Sequence, residues 1–272
     1  MDKSYAALLS KVREKKPLVH HITNYVTVND CANITLAIGA SPVMADAIGE
    51  AADIAAIAGA VVLNMGTLNE RTIPSMIAAG ISANARGIPV IFDPVGAGAS
   101  KLRNKTAANL IRKLKLSVIR GNISEIKFIA GISSQTKGVD ASDNDIATAE
   151  SSGQTAKTLA QKLGCVVVIS GAVDIISDGK KTIFAENGHP MLGNLTGTGC
   201  MCSSLIGSFC GAAPHDPLAA AAAAMLCMGI AGELAFESSG QRGNGSFRIA
   251  LHDAVSRIDE AVFEKRAKYH EE

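Results

Sequence analysis

The sequence predicts an α/β protein with a central, mostly parallel sheet flanked by helices on both faces. Short runs of β-branched residues alternate with longer alanine-rich segments up to residue 170, an order typical of a parallel sheet with helical crossovers. Several of the short runs are apolar almost throughout, as expected for strands that are covered on both faces. Beyond residue 185 the pattern is mainly helical.

Six short apolar runs are interpreted as the parallel strands, because turn residues bound them and β-branched residues dominate them. These strands are Leu18–Ile22, Pro42–Ala45, Ala60–Asn64, Pro89–Asp93, Ser117–Arg120 and Cys165–Ser170. The segments between them have the length and alanine content of crossover helices. These helices are Val26–Ile38, Gly49–Ala58, Arg71–Arg86, Leu102–Leu114 and Asp145–Leu163.

The pattern changes after the sixth strand. Asp174–Ser177 and Thr182–Ala185 flank a turn segment that contains Asp178 and Gly179, which predicts an antiparallel hairpin. An apolar helix, Met201–Ala212, then follows a glycine-rich segment. Residues 218–232 form the most apolar stretch, and its 15 residues are too few to span a bilayer, so we interpret it as a buried helix.

Length and composition exclude several classes of protein. The chain of 272 residues could form one or two domains, and no linker or shift in composition divides it, so we expect a single domain over residues 1–272. A content of 47% apolar and 19% charged residues excludes a disordered chain. The net charge of +1 favours neither nucleic acid nor an anionic membrane as a partner. The absence of Trp and an aromatic content of 4% disfavour a base-stacking protein.

The cysteines and the N-terminus predict a cytoplasmic protein. None of the six cysteines belongs to a CxxC pair, which disfavours a zinc site. Six cysteines are also few for a disulfide framework in a chain of this length. The first 17 residues are charged throughout and contain no apolar signal core. Ser133–Gly153, the most polar stretch, lacks the glycine and terminal glutamate of a calcium loop and is interpreted as a solvated loop and helix start.

Polar and glycine-rich segments follow strand after strand at the predicted carboxyl ends. Because ligands bind at this edge of a parallel sheet, the series predicts a binding site there. The segments are His20–Asn24, Met44–Asp46, Asn64–Thr67, Asp93–Gly98, Arg120–Glu125 and Ser170–Gly171. His20 and His21 are interpreted as hydrogen-bonded structural residues.

The segment Thr196–Cys200, with sequence TGTGC, predicts an anion-binding helix start. Gly197 and Gly199 allow a tight turn, and the N–H groups that open the next helix suit a phosphoryl group in transfer. A glycine-rich helix entry without a ligand is the alternative. We expect the positive helix end to lower the pKa of Cys200, so that its thiolate could act as a base. The alternative for this cysteine is a small buried hydrophobe.

Two carboxylates and a guanidinium end neighbouring strands. Asp93 and Glu125 offer oxygen ligands for Mg²⁺ beside the anion site, or alternatively act as a helix cap and a first-turn helix charge. Arg120 ends an apolar strand, where a phosphate is the preferred partner and a carboxylate the alternative. No GxxxxGK[ST] motif is present, which excludes a P-loop enzyme, and no GxGxxG follows the first strand.

Long segments of the chain resemble the hydroxyethylthiazole kinase family, a branch of the ribokinase-like superfamily. The matching segments are PLVHHITNYVTVNDCAN, AIGASPVMA, AGAVVLNMGTL, GIPVIFDPVGAGAS, VIRGNISEI, KGVD, VVVISGAVD, NGH, LTGTGCM and GSF. The resemblance implies a ribokinase-like fold and ATP-dependent phosphorylation of the primary hydroxyl of 4-methyl-5-(2-hydroxyethyl)thiazole with Mg²⁺, in thiamine biosynthesis and salvage. It also implies a homotrimer with active sites near the subunit contacts.

The resemblance carries roles to individual residues. It implies that Met44, Gly197 and Asn24 bind the thiazole, that Asp93 and Glu125 are associated with the metal, and that Cys200 is the catalytic base, although a weaker one than aspartate. It implies that ATP is bound by Arg120, Ser170, Thr198 and Gly199. Ser170 replaces a more usual threonine and keeps its hydroxyl, and Gly243–Gly245 replaces a more usual Gly-Pro-Gly.

The residues leave open three alternatives to this function. Another ribokinase-like kinase could act on a hydroxymethylpyrimidine or a sugar, although Asn24 and Met44 at the first strand ends suit a small, mostly apolar ring. A nucleotide-dependent dehydratase of the same superfamily is expected to carry an acidic residue in place of Cys200. A non-catalytic nucleotide-binding module would bind ATP without releasing ADP.

Overall fold

A mixed sheet of nine strands runs through the centre of the protein in the computed structural model, which describes residues 5–132, 136–137, 140–141 and 149–272. The strands are β1 Leu18–Ile22, β2 Ser41–Val43, β3 Ala60–Asn64, β4 Val90–Asp93, β5 Val118–Asn122, β6 Thr136–Lys137, β7 Asp140–Ala141, β8 Val166–Ser170, β9 Asp174–Ser177, β10 Thr182–Ala185 and β11 Tyr269–Glu271. The large sheet has the order β11-β10-β9-β8-β5-β4-β3-β1-β2, and β6 pairs with β7 separately.

Five of the strand pairings are parallel, and the three at one edge are antiparallel. The parallel pairs join β2, β1, β3, β4, β5 and β8 in that order. The pairs β8–β9, β9–β10 and β10–β11 are antiparallel. The predicted α/β class with a mostly parallel sheet and a C-terminal hairpin is therefore confirmed.

Helices cover both faces of the sheet. They are α1 Tyr5–Lys15, α2 Val28–Ile38, α3 Ala51–Ile57, α4 Thr72–Ala85, α5 Lys101–Lys113, α6 Ile123–Ala130, α7 Ala149–Leu163, α8 Thr198–Ala212, α9 Pro217–Ser239, α10 Asn244–Arg257 and α11 Glu260–Arg266. Alternate strand residues serve the two faces, because side chains project from a strand with a period of two. Ile91 of β4 belongs to the core under α1, α2, α8 and α9, whereas Val90 and Phe92 belong to the core under α4, α5 and α7.

Within the described residues, the sequence prediction missed helices α1 and α6 and strands β6, β7 and β11. α1 places Tyr5, Leu8, Leu9 and Val12 on a buried face with helical spacing, but its many charges obscured this pattern. α6 is only eight residues long and begins with a reciprocal capping box between Asn122 and Glu125. β11 closes the sheet edge by pairing with β10.

Helix α9 is longer than its most apolar stretch suggested. It has 23 residues, and the helical stretch Pro217–Arg242 is long and apolar enough to cross a membrane. The expectation that this stretch is too short to span a bilayer is therefore wrong. Because 78% of its most apolar window is buried inside the fold, its interpretation as a buried core helix is confirmed. The KGVD segment and the stretch Ser133–Gly153, predicted as a solvated loop and helix start, lie partly outside the described residues. The described part of that stretch contains β6, β7 and the first residues of α7.

Candidate active site

The N-terminus of α8 is built around two glycines with different structural reasons. Gly197, the residue before the helix, has φ +89°, a left-handed conformation that glycine adopts without strain. A Cβ at Gly197 would lie 2.4 Å from Cγ2 of Thr27. Gly199 lies inside the first turn, where a Cβ would lie 2.6 Å from Nη1 of Arg120. Both glycines therefore allow a side chain from another element to approach the start of the helix closely.

Asp93 ends β4 and is completely buried. Its Oδ2 accepts hydrogen bonds from Nδ2 of Asn64 at 2.9 Å and from Oγ of Ser203 at 2.7 Å. Burial raises the pKa of Asp93, while the charge of Arg120 and these hydrogen bonds oppose the rise. Oδ1 is buried and has no hydrogen-bond partner among the described residues.

Arg120 lies on β5 between two other site residues. Its Nη2 donates to Oγ of Ser170 at 2.7 Å, and its Nη1 lies 3.8 Å from Oδ2 of Asp93. Burial alone would lower the pKa of Arg120, but the nearby negative charges, led by Asp93, raise it, and the guanidinium stays charged. The carboxylate partner that the sequence left as the alternative is therefore present, and the charge also borders the site.

Glu125 ties two loops together at the carboxyl ends of β4 and β5. Its Oε1 accepts from the N–H of Gly96 at 2.7 Å, and its Oε2 accepts from the N–H of Asn122 at 2.8 Å. Burial and the charge of Asp93 raise the pKa of Glu125 to about 7. Glu125 lies in the first turn of α6, as the alternative interpretation expected, and the metal association stays a prediction.

Cys200 lies in the first turn of α8 as an acceptor of two amide hydrogen bonds. Nδ2 of Asn24 lies 3.1 Å from its sulfur, and Nδ2 of Asn64 lies 3.3 Å from it. Burial and the charge of Asp93 raise the pKa of Cys200. The expectation that the helix end lowers this pKa is wrong, because desolvation and a neighbouring carboxylate both favour the neutral thiol.

These groups border one cavity of about 580 Å³ at the carboxyl ends of the parallel strands. Nine of the ten predicted site residues line it: Asn24, Asp93, Arg120, Glu125, Ser170, Gly197, Thr198, Gly199 and Cys200. Met44 follows the edge strand β2 and is not among the lining residues within the described part of the chain. The glycine-rich start of α8, the two carboxylates and the thiol therefore border the same cavity.

Comparison with known proteins decides the family. The family model described as "HK: Hydroxyethylthiazole kinase family" matches residues 9–261. The chain belongs to the hydroxyethylthiazole kinase family. A hydroxyethylthiazole kinase of Ruminiclostridium cellulolyticum is 60% identical over 269 residues, which cover 99% of this chain and 98% of the relative.

Solved structures support the same family and its fold. The structure of a hydroxyethylthiazole kinase protein from Pyrococcus horikoshii has a TM-score of 0.89 and 38% identity, with 98% of each chain covered. A ribokinase-like superfamily protein from Enterococcus faecalis has a TM-score of 0.61 at 12% identity, covering 96% of this chain and 91% of that chain, and shows the fold alone. The ribokinase-like fold expected from the resemblance is therefore confirmed for this hydroxyethylthiazole kinase family member.

The two histidines of β1 are structural in this hydroxyethylthiazole kinase family member, as predicted. Nε2 of His20 lies 2.7 Å from the carbonyl oxygen of Ala45, and Nδ1 of His21 lies 3.0 Å from that of Val19. Burial lowers the pKa of His20 and lowers that of His21 to about 4, so both rings are neutral at pH 7. His20 thereby fixes the backbone next to Met44.

The sequence assigned no role to two residues that hold the site of this family member together. Asn64 appeared in the series of polar strand ends, and its position at the end of β3 was the available signal. Ser203 follows Cys200 by three residues on α8, so helical periodicity places it near the same face. A second cavity of about 500 Å³ shares Arg120 and Ser170 with the first.

Proposed function

We propose that this chain is an ATP-dependent kinase that phosphorylates the primary hydroxyl of 4-methyl-5-(2-hydroxyethyl)thiazole, in thiamine biosynthesis and salvage. Membership of the family and near full-length likeness to relatives named hydroxyethylthiazole kinase support it. The observation that carries the proposal is the glycine-rich start of α8, which borders the same cavity as Asp93 and Arg120.

In this proposal the first N–H groups of α8 bind the transferring phosphoryl group. N–H groups in the first turn of a helix lack intrahelical acceptors, and the helix end carries a partial positive charge. Thr198, Gly199 and Cys200 supply these groups beside the cavity. Arg120 and Ser170, joined by their hydrogen bond, bind other phosphate oxygens of ATP.

The thiazole alcohol binds beside Asn24 and Gly197, with Met44 at the outer edge. Oδ1 of Asn24 accepts from the N–H and the hydroxyl of Thr27, and its Nδ2 donates to Asn64 and Cys200, so its polar atoms are already paired. Asn24 therefore contacts the ring by packing. This pairing suits a ring with few polar groups better than a sugar.

The reaction is an in-line displacement. The substrate oxygen forms a bond to the γ-phosphorus, the bond from that phosphorus to the bridging oxygen breaks, and ADP leaves with the electron pair. The hydroxyl proton passes to the minor thiolate form of Cys200 or to water. Because the pKa of Cys200 is raised, its contribution as a base is modest. Positioning and electrostatic stabilisation by the start of α8 and by Arg120 carry most of the rate.

Mg²⁺, when bound, neutralises phosphate oxygens, and the free oxygen of Asp93 fits an ion of this kind. Oδ1 of Asp93 is buried without a partner, and carboxylate oxygen is a preferred ligand of Mg²⁺. Both oxygens of Glu125 accept hydrogen bonds from backbone N–H groups, so Glu125 would interact with the ion through water. No group of three or more His, Cys, Asp or Glu able to hold a metal occurs within the described residues, which suits an ion held mainly by water and phosphate.

We further propose that one domain over residues 1–272 assembles as a cytoplasmic homotrimer. Large apolar side chains are exposed on α2 and in the loop before it, namely Tyr25, Val26 and Leu36, and Val26 also lines the cavity. In this proposal a neighbouring subunit covers these side chains in the assembly. We expect light scattering to give three times the chain mass of 28.0 kDa. A monomer at micromolar concentration would contradict the assembly.

The experiment that tests the function measures ADP release with Mg²⁺ and ATP across a panel of alcohols. The panel contains the thiazole alcohol, a hydroxymethylpyrimidine and several sugars. The expected result is release that depends on the thiazole alcohol and exceeds that with any other acceptor. Greater ADP release with the pyrimidine or a sugar would show that the proposed substrate is wrong. Binding of ATP without ADP release would exclude a kinase.

Replacing Cys200 with alanine is expected to lower kcat by about 10- to 100-fold, less than the roughly 100- to 10,000-fold usual for a general base, because its raised pKa leaves little thiolate. The KM for the thiazole alcohol should stay nearly unchanged, because the thiol meets the hydroxyl proton rather than the ring. Steady-state kinetics of Cys200→Ala beside Cys210→Ala, a buried cysteine on the same helix, measures this. Unchanged turnover in Cys200→Ala would remove the base role.

A further inference from the structure

Asn64 is the residue that joins the carboxylate and the thiol of the site. It is buried at the end of β3, and its Nδ2 donates to Oδ2 of Asp93 at 2.9 Å and to the sulfur of Cys200 at 3.3 Å. Its Oδ1 accepts from Nδ2 of Asn24 at 3.1 Å and from the N–H of Gly66 at 2.8 Å. A carboxamide has two donors and two lone pairs, so all four positions are used.

We propose that Asn64 is a positioning residue that orients Asp93 and Cys200 as one unit, so that part of its contribution to turnover passes through Cys200. The inference rests on the proposed kinase function. It assigns a role to a residue that touches neither the substrate nor the phosphates in the mechanism above.

The first part of the argument concerns Asp93. A carboxylate can exchange its two oxygens by rotation about χ2, which is a soft torsion. Two donors, Asn64 and Ser203, hold Oδ2, and this leaves Oδ1 unpartnered. Loss of the Asn64 donor makes rotation of the Asp93 carboxylate easier, so that Oδ1 is no longer always the unpartnered oxygen.

The second part concerns Cys200. The sulfur receives two amide N–H groups, from Asn24 and Asn64, and two donors at about 3.2 Å restrict where it can sit. Ser203, on the same helix, donates to Asp93 and has no hydrogen bond to Cys200 among the contacts of its hydroxyl. Ser203 is therefore a natural matched control, because its removal loosens the carboxylate and leaves the thiol in place.

A double-mutant cycle separates the two parts. We expect Asn64→Ala to lower kcat by roughly 10- to 100-fold, with the KM for the thiazole alcohol within about threefold. In a Cys200→Ala background the loss of kcat caused by Asn64→Ala should be at least about threefold smaller, because the effects of substitutions at two contacting residues do not add. Ser203→Ala should lower kcat by the same factor in the wild-type and the Cys200→Ala backgrounds. Equal costs of Asn64→Ala in the two backgrounds would overturn the coupling.

A binding measurement tests the carboxylate part without turnover. Mn²⁺ replaces Mg²⁺, and its affinity in the presence of ADP is read by electron paramagnetic resonance. We expect Asn64→Ala and Ser203→Ala to weaken this affinity by several-fold and Cys200→Ala to leave it unchanged. Unchanged affinity in Asn64→Ala would overturn the role toward Asp93. If the wild-type protein releases no ADP with the thiazole alcohol, the proposed function fails, and this binding pattern still tests the positioning of Asp93.

An isosteric variant guards against a folding defect. Asn64→Asp keeps the acceptor for Asn24 and Gly66 and removes both N–H donors, without leaving a cavity. Its turnover should fall at least as far as that of Asn64→Ala, with a cooperative melting transition retained in at least one of the two variants. Wild-type turnover in Asn64→Asp would overturn the proposal.

Discussion

Asp93→Asn is expected to lower kcat by about 100- to 1,000-fold, a range typical for loss of one preorganised electrostatic group at a phosphoryl or acyl transfer site. The carboxamide has nearly the shape of the carboxylate. Its oxygen can take the place of Oδ2 and accept from Asn64 and Ser203. Its NH₂ group would then replace the free Oδ1, so a donor stands where a cation or a water that donates needs an acceptor.

Stability should change little in Asp93→Asn, because two effects oppose each other. Burial raises the pKa of Asp93, which means that the ionised form costs folding energy at neutral pH and that its neutral replacement relieves this cost. Arg120 loses the carboxylate at 3.8 Å, which acts in the other direction. Turnover is measured beside the melting temperature, with Asp216→Asn as control.

The control residue is remote from the cavity and caps α9. Oδ1 of Asp216 accepts from the N–H of Ala219 at 3.2 Å, and a carboxamide oxygen can keep that bond. Asp216→Asn should therefore retain wild-type turnover. Wild-type turnover in Asp93→Asn would show that the free oxygen of Asp93 has no part in the reaction.

The elements that follow from local pattern were predicted accurately. β1, β3 and both strands of the hairpin begin and end at the expected residues, because buried apolar runs between turn residues leave little choice of boundary. α6 was missed, since eight residues with a capping box carry too little periodicity. β11 was missed because its pairing with β10 joins residues far apart in the chain.

The candidate site was predictable to the extent that it follows from topology. Neighbouring parallel strands bring their carboxyl ends together, so Asp93 and Arg120 meet without any knowledge of side-chain contacts. The direction of the pKa shift of Cys200 was not predictable, because it depends on burial and on the charge of Asp93 rather than on the helix end alone. Met44 follows the edge strand β2, and sheet order alone does not decide whether its side chain lines the cavity.

Gly197→Ala is expected to be the most disruptive substitution at the start of α8. Alanine at φ +89° costs about 1–2 kcal/mol of backbone strain. Its Cβ would also lie 2.4 Å from Cγ2 of Thr27, so the loop or the residue before α2 must move. Because Thr27 donates to Asn24, which in turn donates to Cys200, the displacement should reach the thiol. We expect kcat to fall by at least about 100-fold, as for the loss of one phosphoryl-binding donor, and melting to occur several degrees lower.

A second substitution separates the steric conflict from the backbone strain. Thr27→Ser removes Cγ2 and keeps the hydroxyl that donates to Asn24. In Gly197→Ala/Thr27→Ser the shortest contact is removed and only the 3.0 Å approach to Cβ of residue 27 remains. Turnover should therefore recover by about tenfold or more, while the strain of about 1–2 kcal/mol persists in the melting temperature. Gly245→Ala, where an added Cβ meets nothing within 4 Å in the first turn of α10, should keep wild-type turnover and melt at or slightly above the wild-type temperature. If Thr27→Ser recovers no turnover, the close approach of Thr27 is not what requires glycine at position 197, and its left-handed conformation alone explains the requirement.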